Sequence, residues 1–106
     1  MLSIRFDDDH EWWVSDRVFE RLFLFALAHG HLEPPLEEWR HVADANGGLS
    51  FGNYERNVAR ELTRGLRAAA RAELAKLGDD VDLNTPDGAY KVSLEKLLAA
   101  IPSSAA

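Results

Sequence analysis

Leu22-Phe23-Leu24-Phe25-Ala26-Leu27-Ala28 is apolar at every position. A helix at a protein surface keeps a polar face, so a run that is apolar all round has to be covered on most of its sides. The flanking residues mark it as helix. Ser15 offers an N-cap hydroxyl, Asp16 an acid at the positive end of the dipole, and Gly30 a C′ residue able to take left-handed backbone. The pattern predicts a helix from Val18 to His29 at the centre of the fold. At roughly 25 cal/mol per Å2, its phenylalanines and leucines supply much of the hydrophobic driving force. The run is far short of the roughly 20 residues that cross a bilayer, so no membrane contact is expected.

The rest of the chain arranges itself around that helix. Leu2, Ile4 and Phe6 alternate with Ser3 and Arg5, which predicts a short N-terminal strand with one buried face. After the polar turn Asp7 to His10, the segment Glu11-Trp12-Trp13-Val14 pairs back as a second strand or packs as a loop. Pro34-Pro35 open a second helix, with Leu36, Trp39, Val42 and Ala43 at helical spacing, and Asn46-Gly47-Gly48 ends it. Asn53 caps a long third helix from Tyr54 to Leu77, stopped by Gly78, in which Gly65 is a weak point of roughly 1 kcal/mol relative to Ala. Val81 and Leu83, then Tyr90 and Val92, alternate around Asn84-Thr85-Pro86-Asp87-Gly88, which predicts a hairpin. Ser93 caps a last short helix, Leu94 to Ile101. The fold class expected is mainly α (α+β): a compact helical domain of about four helices with a short N-terminal strand and a small C-terminal β-hairpin. It occupies residues 1–101 as a single globular domain, with 102–106 as a short tail.

Composition excludes more than it specifies. The 106 residues contain no cysteine, so disulfides, thiolate zinc sites and thiol nucleophiles are ruled out. Met1 to Phe6 lacks the basic and apolar regions of a secretory signal, and a cytoplasmic location is expected. The net charge is −6, which disfavours nucleic acid as a partner, but it is unevenly distributed. Residues 1–53 hold 4 basic and 10 acidic side chains, residues 54–77 hold 6 and 3, and residues 78–106 hold 2 and 5.

Several clusters carry possible chemistry. Asp7-Asp8-Asp9-His10-Glu11 has metal-ligating atoms, but adjacent residues seldom converge on one ion, and a solvated acidic turn is expected. With Trp12 and Trp13 beside it, the cluster reads as a recognition patch, continued by Glu33, Glu37 and Glu38, with core packing expected for at least one of the two tryptophans. His29 and His31 flank Gly30, and Glu38 and His41 form a single ExxH pair. Paired-metal helical bundles need two such motifs, so no metal site and no cofactor is expected. Asp80, Asp82 and Asn84 begin like a calcium loop, but Thr85 and Lys91 stand where glycine and the closing carboxylate are needed. Arg56, Arg60, Arg64, Arg67 and Arg71, spaced 4, 4, 3 and 4, share one helix face. They form either a solvated face or an anion-binding row, since guanidinium groups grip anionic oxygens bidentately.

With no catalytic constellation, the chain reads as a small acidic non-enzymatic protein-interaction module. Its expected partner is a basic protein, and a bacterial immunity or antitoxin-like inhibitor of a nuclease-type toxin is the concrete form of that expectation. The alternatives are a metal-dependent hydrolase using His10, His29, His31, His41 and nearby acids, or an RNA- or ribosome-associated module using the arginine row.

Overall fold

The computed structural model describes residues 2–33, 47–53 and 55–102, which form a three-stranded sheet and three α-helices. In chain order these are β1 (Leu2–Asp7), β2 (His10–Val14), α1 (Asp16–Ala28), β3 (Gly48–Ser50), a 3-10 turn (Phe51–Asn53), α2 (Arg56–Leu77) and α3 (Pro86–Ala100). The helix expected after Pro34-Pro35 lies outside the described residues, as do Glu37, Glu38 and His41.

β1 is the middle strand. It pairs antiparallel with β2, placing Ser3 opposite Trp13 and Arg5 opposite Glu11. It pairs parallel with β3, placing Ser3 opposite Gly48 and Arg5 opposite Ser50. The turn between β1 and β2 is built by Asp7, whose carboxylate accepts the Asp9 backbone N–H at 2.8 Å, an Asx turn. Gly47-Gly48, expected to end the second helix, is the entry to β3. The Ser3 N–H donates to the Gly47 carbonyl at 3.1 Å. Gly48 has φ +148°, and a Cβ there would run into the Ser3 backbone. Only glycine lets the third strand come this close.

α1 begins as its sequence predicts, with the Ser15 hydroxyl accepting the Val18 N–H at 3.2 Å. Gly30, at φ +76°, turns the chain so that His31 and Leu32 donate back to the Ala26 carbonyl. The apolar run is not covered all round, however. Phe19, Leu22, Phe23 and Ala26 form the buried stripe at helical spacing, whereas Leu24 is 43% exposed and Ala28 lies in solvent. Among the described elements, α1 packs chiefly against α2.

α2 buries Leu62, Leu66, Ala69 and Ala70, and packs against α1 and α3. Its first turn has no side-chain cap bond, and Glu55 rather than Asn53 holds the cap position. Gly65 is not a solvent-exposed weak point. It is buried, and a Cβ on it would strike the Leu32 side chain and the His31 carbonyl. The chain leaving α1 is seated in the gap that this missing side chain provides.

The C-terminal hairpin does not form: residues 86–100 are one helix, and Ser93 sits in its interior rather than at its cap. Thr85-Pro86-Asp87-Gly88 has the look of a turn, but it also meets the rules for a helix start. The Thr85 hydroxyl accepts the Gly88 N–H at 3.1 Å, Pro86 occupies the first turn where its missing N–H is harmless, and Asp87 faces the positive dipole end. The turn lies just upstream, where the Asp82 carboxylate accepts the Asn84 N–H at 2.9 Å. Of the residues read as strand alternation, Val81 and Leu83 precede the helix and Tyr90 and Val92 lie within it, where Tyr90, Leu94 and Leu97 are buried at helical spacing.

One polar cluster ties the three helices together. Tyr90 of α3 donates its hydroxyl to the Glu73 carboxylate of α2 at 3.1 Å, both residues being buried. Arg21 of α1 places its guanidinium 3.9 Å from the Tyr90 ring centre and pairs with Asp87 at 3.0 Å. Burial first, and then the Glu73 charge and hydrogen bond, push the Tyr90 hydroxyl well above its ordinary value, with Arg21 opposing.

Two outcomes follow from this packing. Gly65→Ala gains roughly 1 kcal/mol by helix propensity alone, but the clash with Leu32 and the His31 carbonyl costs about 2–3 kcal/mol, the upper part of the overpacking range, and leaves a net loss of about 1–2 kcal/mol. The sign measured by urea unfolding decides between them. For Tyr90, a raised folded-state value means the stabilisation is complete below about pH 10 and fades as pH rises beyond it. Tyrosinate absorbance should show one of the two tyrosines ionising only as the chain unfolds in alkali. Tyr90→Phe should abolish that step and, by leaving Glu73 without its donor, lower stability at neutral pH by about 1–3 kcal/mol.

Candidate functional site

Because strand side chains alternate, the sheet has one face against the helices and one turned outward. Leu2 and Ile4 of β1, Trp12 and Val14 of β2 and Leu49 of β3 are buried on the inner face. The outward residues line up in two rows across the strands, Trp13-Ser3-Gly48 and Glu11-Arg5-Ser50.

This alternation separates the tryptophan pair. Trp12, expected alongside Trp13 in a recognition patch, is a core residue at 2% exposure, and its indole N–H donates to the Ser93 carbonyl at 3.0 Å. That bond joins β2 to α3 and satisfies the ring's one polar group. Trp13 is 61% exposed. Its cross-strand neighbours are a serine and then a glycine, so no large side chain on the adjoining strands covers the ring.

The charges around Trp13 are partly committed within the chain. Glu11 accepts from the Ser3 hydroxyl at 2.7 Å and from the Arg5 guanidinium at 3.2 Å, which fixes its carboxylate beside the indole. At the hairpin tip, Asp7 accepts from Asp9 N–H and contacts His10 Nδ1 at 2.7 Å. The bond to His10 holds the Asp7 carboxyl below its usual range. Asp7 is thus a turn-forming residue, and Asp8 and Asp9 are the tip acids whose exposed carboxylates make no bond to another described residue. Glu33, placed in the same patch by the sequence reading, is exposed beyond the end of α1.

The three described histidines do not form one cluster. His10 belongs to the hairpin tip, while His29 and His31 lie beside Phe25, with ring centres 4.2 and 6.0 Å away. Among the described residues, no group of three or more His, Asp or Glu side chains is placed to hold a metal ion. Asp82, from the calcium-like sequence, is engaged with Asn84. The arginine row does form one face of α2. Arg56, Arg60, Arg64 and Arg71 are exposed and Arg67 is half-buried.

Two members of the outward face, Ser3 and Arg5, escape a reading that follows only the acidic cluster. Their signal is the register itself: strands joined at Asp7-Asp8-Asp9-His10 bring Arg5 across from Glu11 and Ser3 across from Trp13. The two tryptophans should separate in stability measurements. Trp12→Ala should lower unfolding free energy by about 3–5 kcal/mol. Trp13→Ala should change it by no more than about 0.5 kcal/mol, as for an exposed side chain without structural duty. No family model, curated protein or solved structure matches the chain.

Proposed function

We propose that the chain is a non-enzymatic protein-interaction module that presents the outward face of its sheet to a basic protein. The observation that carries this reading is the exposure of Trp13, 61%, on an edge strand whose neighbours leave the indole bare. An exposed indole gives a partner a large rigid anchor at small entropic cost, and such residues dominate the energetics of interfaces. Glu11, held by Ser3 and Arg5, supplies an oriented acceptor beside it. Asp8 and Asp9 at the tip supply the field that draws in a positively charged surface.

Within that class the chain acts as a bacterial immunity or antitoxin-like inhibitor in the cytoplasm, covering the active cleft of a basic, nuclease-type toxin. Small size, acidity and a rigid aromatic anchor suit such a role.

Capture from an extract of its native cell tests the proposal. The wild-type chain should retain a basic protein in stoichiometric amount at low salt and less of it at moderate salt. Trp13→Ala should weaken the purified pair by about thirtyfold, the effect of losing an interface anchor. Asp8→Lys with Asp9→Lys should mainly slow association and flatten its salt dependence. A partner held equally well by all three proteins, or held without regard to salt, places the interface elsewhere.

A further inference from the structure

The sheet face leaves the longest helix unaccounted for. Arg56, Arg60, Arg64, Arg67 and Arg71 follow one another along α2 over about 22 Å of helix axis, at 1.5 Å per residue. No ion pair joins any of the five to another described residue, although the chain carries 18 acidic side chains. Arg5 and Arg21, by contrast, are matched with Glu11 and Asp87. Like charges three and four residues apart repel one another on a helix, and exposed Glu61, three residues before Arg64, offsets only part of that repulsion.

We propose that the arginine face of α2 is a second docking surface, and that its occupant is an acidic helix of a protein partner. Three observations select this occupant among anions. α2 contains no aromatic residue, so the row has none of the stacking platforms that hold single-stranded nucleic acid. Exposed Glu55 at one end of α2 and exposed Asp79 and Asp80 beyond the other oppose a continuous polyanion that runs past the row, whereas an acidic helix presents carboxylates along a single stripe. Beside the arginines, Ala68 and Ala72 are half-buried and Ala75 is exposed, and their short side chains allow a second helix to lie close. Carboxylates repeating at i, i+4, i+7 and i+11 on that helix have the same axial spacing as Arg60, Arg64, Arg67 and Arg71, so each guanidinium meets an acid. This surface lies on a different element from Trp13 and does not depend on the reading of the sheet face.

The test uses the full chain and three probes: a blocked alanine-rich helical peptide with glutamates on one face, the same composition with glutamates spread around the helix, and duplex RNA. The one-faced peptide should bind best, with affinity falling as salt rises. Arg60→Gln/Arg64→Gln/Arg67→Gln should weaken it by roughly tenfold or more, with helicity by circular dichroism unchanged, and the triple change to Glu should abolish binding. Trp13→Ala should leave it unaffected. Tighter binding of duplex RNA, equal binding of the two peptides, or full binding by the glutamine variant overturns the proposal.

Discussion

The pleat of a two-residue repeat determines both what holds this chain together and what it shows to other molecules. In β2, Trp12 points inward and Trp13 outward because successive side chains must leave a strand on opposite faces. The inward ring fills the space beneath the sheet and, through its bond to Ser93, attaches the hairpin to α3. A slip of β2 by one residue against β1 would bury Trp13 and Glu11 and expel Trp12 and Val14. The burial of Leu2, Ile4, Trp12 and Val14 therefore fixes the register, and the outward face is determined as its complement.

Around that sheet, close approaches at three glycines leave no room for a side chain. Gly48 lets β3 lie against Ser3, Gly65 lets the segment after α1 reach α2, and Gly88 lets the first turn of α3 sit on Asp82 and Leu83. Gly48 and Gly65 exchange local backbone entropy for nearness between segments distant in sequence, and Gly88 does so for a tight local turn into α3. Where the helices meet, the buried Glu73 carboxylate would be a liability without the Tyr90 hydroxyl. Arg21, lying over the Tyr90 ring and bound to Asp87, brings α1 into the same cluster. Specific geometry at this junction follows from polar groups that can be satisfied in only a few arrangements.

The sequence was legible where a local rule had no rival. Ser15 as cap, Gly30 and Gly78 as helix ends, and the alternation of Leu2, Ile4 and Phe6 each identify their element correctly. Thr85-Pro86-Asp87-Gly88 was misread because a cap followed by proline and an acid resembles a turn when only four residues are considered. The longer spacing of Tyr90, Leu94 and Leu97 favours the helix. β3 was invisible for a different reason: three residues carry almost no periodicity, and their strand character comes from pairing with β1. The same distinction applies to the candidate surface. Its acids and tryptophans are contiguous in sequence, but Ser3 and Arg5 enter only through register. The ties between Glu73 and Tyr90, and between Arg21 and Asp87, span separations that no local pattern reports.

Net charge is a poor guide to what such a surface can bind, because internal pairing removes part of it first. Arg5 and Glu11 neutralise each other on the sheet, Arg21 and Asp87 do so between α1 and α3, and Asp7 is drawn into its own turn. Asp8 and Asp9 remain at the hairpin tip, and five guanidinium groups remain along α2. The field of an exposed charge falls away over about 8 Å at physiological salt, so a partner responds to the charges beneath it and only weakly to the total of −6. An acidic chain can therefore present an anion-seeking helix, and surfaces of opposite sign can serve partners of opposite sign.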